Sequence, residues 1–206
     1  MALSCKGKEN TMKKVYVTFE HAQQMVGDIL RQIQVDDWRP DVIVGITRGG
    51  LTPAVLLSQY LKVPMYTLDV RLRDISEDYA IESNLWLAEW AFGATPQGHP
   101  SNSRYEPKFR KNILIVDDIN DSGATINWIV DDWPSGCFPN EKEVWDGIVW
   151  GGTTRFAVLY DNEASDAVVT PTYSAQNINK VNDPSWIVFP WEEWWRRWNP
   201  DEEVIK

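Results

Sequence analysis

The sequence predicts an α/β fold in which a central, mainly parallel sheet of about five strands is flanked by helices. Two short apolar runs, Val42–Ile46 and Ile113–Val116, are rich in β-branched residues and do not alternate with polar ones, the pattern of strands covered on both faces. Each run passes through a glycine-containing turn into a segment that reads as a helix, so strand and helix follow one another as a parallel sheet requires. With 206 residues and no long neutral linker, the chain is long enough for one good core and is expected to form a single domain over 12–206.

The elements follow in order. Residues 1–11 are polar, and Met12 with Lys13 and Lys14 marks where the ordered chain is expected to begin, leaving 1–11 disordered. Val15–Thr18 is strand-like, after which Ala22, Met25, Val26, Ile29, Leu30 and Ile33 recur at helical spacing and form one apolar stripe. Thr47-Arg48-Gly49-Gly50 ends the Val42–Ile46 strand, Leu51–Leu61 is a helix with Pro53 in its first turn, and Val63–Val70 is the next strand. The polar stretch over about 71–111 carries Gly93, Pro96, Gly98, Pro100 and Pro107 and is too long for an ordinary connector. It reads as a mobile lid with a helix around Ile81–Phe92. Ala124–Trp133 is helical, and Arg155–Tyr160 and Ala167–Thr170 supply further strands. Pro134–Thr154, with Trp145 and Trp150, reads as an insertion holding a single helical turn. The tail Trp186–Trp198 is crowded with aromatics that must pack or meet a partner.

Composition narrows the function. A net charge of -10 and a pI near 4.7 oppose an extended polyanion, which needs a stripe of Lys and Arg, so no nucleic-acid partner is expected. Cys5 and Cys137, with His21 and His99, make no zinc cluster and read as incidental thiols of a reducing cytosol. No apolar run approaches the ~20 residues that cross a bilayer, and Met1–Lys14 lacks the apolar segment of a signal peptide, so the expectation is a soluble, cytoplasmic protein.

Chemistry concentrates after Ile113–Val116, because ligands of open α/β sheets bind beyond the carboxyl ends of the strands. The sequence there is Asp117-Asp118-Ile119-Asn120-Asp121-Ser122-Gly123-Ala124-Thr125. Adjacent carboxylates suit vicinal hydroxyls or a hydrated Mg²⁺, both of which want several oxygen acceptors. Ser122, Gly123, Ala124 and Thr125 offer backbone N–H groups and hydroxyls at a helix N-terminus, where the dipole favours a phosphate. Diol and phosphate on one short segment describe a ribose 5-phosphate.

This block resembles the signature of type I phosphoribosyltransferases, which bind 5-phosphoribosyl 1-pyrophosphate (PRPP). The resemblance implies that Asp117 and Asp118 meet the ribose hydroxyls and Mg²⁺, that Asp121, Ser122, Gly123, Ala124 and Thr125 hold the 5-phosphate, and that Asp121 lies near N7 of a purine base. Thr47, Arg48 and Gly49 match the family's pyrophosphate loop, with a cis peptide expected between Thr47 and Arg48. Tyr16-Val17-Thr18-Phe19, Gly49-Gly50-Leu51-Thr52-Pro53 and the tail Trp186-Ile187 with Pro190-Trp191-Glu192 are similar to bacterial xanthine-guanine phosphoribosyltransferases. By that likeness Trp186 stacks on the base, Ile187 offers backbone groups to its edge, and Glu192 or Glu193 helps a second Mg²⁺. The likeness also implies a small hood built from about 12–35 and 171–206, and a homodimer or homotetramer. One departure stands out. Relatives that use 6-oxopurines carry a lysine after the fourth strand to read the exocyclic oxygen, and here that neighbourhood is Leu159-Tyr160-Asp161-Asn162, where Tyr160 and Asn162 are the available donors.

The expected activity is transfer of 5-phosphoribosyl from PRPP to a nucleobase, foremost a purine (xanthine, guanine or hypoxanthine), in purine salvage. Pyrophosphate leaves, and Asp121 and Arg48 are the catalytic candidates. The alternatives are a PRPP-binding sensor without turnover and transfer to a pyrimidine or an unusual base.

Overall fold

The computed structural model describes residues 13–70 and 85–197. Strand β1 (Lys14–Tyr16) leads into helix α1 (Phe19–Val35), whose first turn is capped by the Thr18 hydroxyl accepting from the His21 N–H at 3.1 Å. The apolar stripe read from the sequence is the buried face: Ala22, Met25, Val26, Ile29 and Ile33 are buried, each large one stabilising by about 1.5–3 kcal/mol. Then come β2 (Val42–Ile46), α2 (Leu51–Leu61), β3 (Met65–Leu68), α3 (Leu85–Phe92), β4 (Ile113–Asn120), α4 (Ala124–Gly136), β5 (Thr154–Asn162), β6 (Tyr173–Ile178) and β7 (Trp186–Val188).

Five strands form one parallel sheet in the order β3-β2-β4-β5-β6, as the sequence predicts. β2 and β4 are buried along their apolar residues because helices cover both faces. Their side chains divide by alternation. Val42, Val44, Ile46, Ile113 and Ile115 join a cluster with α3, Trp133 and Trp145, while Ile43, Leu114 and Val116 join one with α1 and α2. The chain leaves β2 on one side to build β3 and returns on the other to build β4, so the strand order reverses between β2 and β4. A crevice opens at such a switch point, beyond the carboxyl ends of both strands.

Several expectations need correction. The strand expected at Ala167–Thr170 is irregular chain. Val168 N–H donates to Asn127 Oδ1 at 2.8 Å and the Asn127 amide donates to the Asp166 carbonyl at 3.0 Å, so side chains of α4 take up backbone groups that a ladder would use. The fifth strand is β6, a sheet edge whose Ser174, Gln176 and Asn177 carry no apolar signal because only one neighbour covers it. Of the stretch expected as a lid, 71–84 lies outside the described residues. Helix α3, at the start of the described part, is scaffold, for Leu87, Ala88, Ala91 and Phe92 are fully buried in the core, whereas 94–111 is half-buried or exposed. The hood is smaller than expected. It comprises β1 paired in parallel with β7 and the chain that follows, whereas α1 packs on the main sheet and β6 is part of it. Trp145 and Trp150, within the unassigned insertion, are buried against Trp133 and Phe156. Residues 1–12 and 198–206 lie outside the described residues, so the disorder expected for 1–11 is not addressed. No helix among the described residues is long and apolar enough to cross a membrane.

Candidate active site

A cavity of about 1000 Å³ occupies the switch point. Its floor is the end of β4, which runs further than the apolar pattern suggests: the ladder with β5 continues through Asp117↔Val158 to Asn120↔Asp161, so the acid pair sits inside the strand. Pairing with β5 therefore fixes where Asp117 and Asp118 stand, the ladder with β2 ending one residue earlier at Val116. The Asp117 carboxylate accepts from the Asp118 N–H at 2.9 Å. Burial holds the Asp117 carboxyl well above the usual range, and the neighbouring Asp118 adds to this. Burial also pushes Asp118 up to about 6, the Glu192 carboxylate adds to the rise, and the Trp191 indole beside it pulls the other way.

The Thr47-Arg48-Gly49-Gly50 turn faces this pair. The Thr47–Arg48 peptide is cis, as the resemblance implied. Thr47 is held by its N–H on the Leu68 carbonyl at 2.9 Å and its hydroxyl on Asp69 Oδ1 at 2.8 Å. Gly49 and Gly50 are required by close approach, since a Cβ on Gly49 would fall on the Asp118 carboxylate and one on Gly50 on the Val116 carbonyl. The loop after β4 is fixed just as closely. Gly123 caps α4 at φ 85° with Ala167 backbone packed where a side chain would go, and the Ser122 carbonyl accepts from the Asp166 N–H at 3.1 Å. Ser122, Gly123, Ala124 and Thr125 thus line the cavity at a helix N-terminus, the arrangement that binds phosphate.

The opposite wall comes from the hood. Trp186, Ile187, Phe189, Trp191 and Glu192 all line the cavity, with Trp186 39% exposed and Phe189 stacked on Trp191 at 5.1 Å. Glu192 Oε2 accepts from the Phe189 N–H at 2.8 Å. Glu193 is the lesser metal candidate, for its Oε1 is 3.3 Å from Lys14 Nζ and it is not part of the cavity lining. Apart from Glu193, every residue singled out from the sequence for PRPP, base or metal lines this cavity: Thr47, Arg48, Gly49, Asp117, Asp118, Asp121, Ser122, Gly123, Ala124, Thr125, Trp186, Ile187 and Glu192.

Sequence reasoning missed Lys180, and it offered Asn162 as a donor to the base, whereas the structure engages its side chain with Asp121 and Lys180. Lys180, in the turn after β6, places Nζ 2.9 Å from Asp121 Oδ1 and 5.9 Å from the Trp186 ring centre. Asn162, at the end of β5, donates to the Asp121 carbonyl at 2.7 Å and accepts from the Lys180 N–H at 3.0 Å. The donor sought from Tyr160 is not available to the cavity, since Tyr160 is buried beneath Phe189 with its hydroxyl raised by burial. Lys180 could not have been found by periodicity. It follows an edge strand and is surrounded by polar residues (Asn177, Asn179, Asn182), which read as an ordinary loop.

A parallel α/β sheet whose switch point carries a carboxylate pair, a glycine turn and a helix start without a side-chain cap is a setting suited to a phosphorylated ligand. The comparisons identify the family. Residues 17–196 match the phosphoribosyl transferase domain family, and the chain belongs to it. It is 29% identical over 157 residues to the xanthine-guanine phosphoribosyltransferase of Cereibacter sphaeroides, covering 75% of this chain and 70% of that one. It is 25% identical over 129 residues to xanthine phosphoribosyltransferase 1 of Saccharomyces cerevisiae, covering 57% of this chain and spanning 59% of that relative's length. Among solved structures, the purine phosphoribosyltransferase of Pyrococcus horikoshii superposes with a TM-score of 0.57 at 25% identity, over 95% of this chain and 99% of that one.

Proposed function

We propose that the protein transfers the 5-phosphoribosyl group of PRPP to a nucleobase, with a purine as the preferred class, releasing pyrophosphate. The observation that carries this reading is the convergence of the Asp117–Asp118 pair, the Thr47–Gly49 turn and the Ser122–Thr125 loop on one cavity whose far wall is an exposed indole. The names of the relatives support the purine class, and the domain family supports the donor.

Asp117 and Asp118 accept from the two ribose hydroxyls and hold the sugar rigid while positive charge develops at C1. The same pair fits Mg²⁺. Two carboxyls held above their usual range lack a counter-charge, and a hard cation or two hydroxyl donors supplies it. Asp117 and Asp118 are the residues that would hold it; Glu192 does not join them as a third ligand, for among the described residues no three acidic, His or Cys side chains form a group that could hold a metal ion. An Mg²⁺ held there would supply positive charge against the departing pyrophosphate. Arg48 does the same from the glycine turn, and its guanidinium fork matches phosphate oxygens. The N–H groups at the start of α4 take the 5-phosphate. Asp121, at the lip of the base side, receives the proton of the attacking base nitrogen.

The test is base-dependent release of pyrophosphate from PRPP and Mg²⁺ across purine and pyrimidine bases, with the nucleoside monophosphate identified by mass. Transfer to one or more 6-oxopurines is expected. Binding of PRPP without release by any base would instead make the protein a sensor.

A further inference from the structure

The turn that follows β7 brings one more group to the acid pair. It is closed twice: the Glu192 N–H donates to the Phe189 carbonyl at 3.1 Å, and Glu192 Oε2 accepts from the Phe189 N–H at 2.8 Å. Trp191 is thus held within a tight turn, and its ring is fixed by neighbours. It stacks on Phe189 with ring centres 5.1 Å apart and planes 13° from parallel. Phe189 meets Tyr160 of β5 edge-on at 5.9 Å, and Phe19 of α1 closes the row at 6.3 Å from Trp191. The row spans the hood from the sheet to α1 and leaves the indole little freedom to turn. Yet its Nε1 is buried without a hydrogen-bond partner among the described residues, which costs stability until an acceptor is engaged.

The acceptor beside it is Asp118. Both residues line the cavity. Burial above all, and the Glu192 carboxylate after it, disfavour charge on Asp118, and the Trp191 indole favours it. The Gly49 turn bounds the same carboxylate, since a Cβ on Gly49 would fall on it. We propose that Trp191 is a positioning residue for Asp118: when the sugar is bound, its indole N–H donates to one carboxylate oxygen and fixes the group between the hood and the Gly49 turn, leaving the other oxygen for a ribose hydroxyl. This rests on the reading of the cavity as a PRPP site. An indole N–H only donates and an ionised carboxylate only accepts, so the roles of the pair are set. A charge-assisted bond of this kind orients a carboxylate more firmly than a neutral one. The link runs from the turn after β7 to β4, so the hood completes the sugar wall as well as facing the base.

The experiment titrates PRPP with Mg²⁺ into the full chain and follows the indole N–H signals by NMR, for the wild type, Trp191→Phe, Asp118→Ala and the double variant. The signal missing from Trp191→Phe belongs to Trp191. It should move downfield as PRPP binds the wild type and stay in place in Asp118→Ala. Trp191→Phe keeps the aromatic row and removes the donor; it should weaken PRPP roughly 10- to 100-fold, the range for a hydrogen bond to a charged group. In the Asp118→Ala background the same change should cost less than about 3-fold. Circular dichroism and Tm show that each variant is folded. An unchanged PRPP affinity in Trp191→Phe overturns the assignment, and so does an unmoved indole signal in the wild type. An equal loss with and without Asp118 overturns it too, by making Trp191 a mere support of the hood. A wild type that binds no PRPP sinks the reading of the cavity itself. Coupling of the two residues without base-dependent transfer sinks only the transferase reading, and transfer with independent losses sinks only the role of Trp191.

Discussion

The two walls of the cavity are built by different means. The sugar-phosphate wall is contiguous: β4 and its loop carry Asp117 through Thr125 in one run, and the facing Thr47–Gly50 turn ends the strand paired beside it. The base wall is assembled from the end of β5, the turn after β6, and β7 with its following turn, which reaches the site only because β7 pairs with β1. The first wall is rigid sheet end, with a neighbour on either side of each strand. The second hangs on an edge strand and a two-stranded ribbon. Such a division lets donor recognition stay fixed while base recognition varies with loops.

The largest effect separating the walls should come from Asp117→Asn with Asp118→Asn. Turnover should fall by about 1,000-fold or more with the fold kept, as removal of preorganised charge does. The variant should also be more stable than the wild type at neutral pH. Both carboxyls are raised in the fold, so the folded state disfavours their charged form. That penalty is absent below the ordinary carboxylate range and grows as pH rises toward the folded values, about 6 for Asp118. Thermal melts should show the Tm advantage opening from about pH 4 and growing through about pH 6, at roughly 2–4 °C for each kcal/mol relieved. A variant with wild-type rates would remove the sugar from this wall.

Gly49→Ala should come next, because its Cβ falls on the Asp118 carboxylate. KM for PRPP should rise by about 10-fold or more, with little change in KM for the base. On the other wall, Trp186→Ala should weaken base binding by about 1–3 kcal/mol and leave PRPP affinity nearly unchanged. Equal losses for both substrates in either variant would show that the walls are coupled and break the comparison. The smallest effect should come from Asp36→Asn, outside both walls. Tyr173 and Arg155 hold the Asp36 carboxyl below its ordinary 3.8, so the stabilisation it gives is present above that pH and disappears as acid takes the pH through the lowered value. Tm against pH should show a slight wild-type advantage at pH 7 that vanishes in strong acid, with both KM values unaltered.

Legibility in the sequence followed locality. β2, α2, β4 and the start of α4 were plain because each is short, apolar or glycine-marked, and complete within its own segment. β6 was misplaced because an edge strand needs only one apolar neighbour, and the β-rich Val168-Val169-Thr170 drew attention to chain whose backbone Asn127 had already engaged. The stretch from 85 to 111 looked like a lid because its glycines and prolines say nothing of Leu87 and Phe92 being buried. On the site, the sequence pointed to residues of Ile113–Thr125 and to Trp186-Ile187 that line the cavity, but not to the strand running on through the acid pair to Asn120. Nor did it point to Lys180.

The sequence alone determined the central strands, the acid pair and the loop that follows it, because the spacing of residues along one strand and one helix start fixes them in space wherever that strand lies. Only the tertiary structure decided that a lysine from the β6 turn meets Asp121 beside Trp186. That meeting depends on the order of strands in the sheet and on two asparagine side chains, Asn162 and Asn179, which hold the turn. Contacts between segments far apart in the chain leave no periodic trace in either of them.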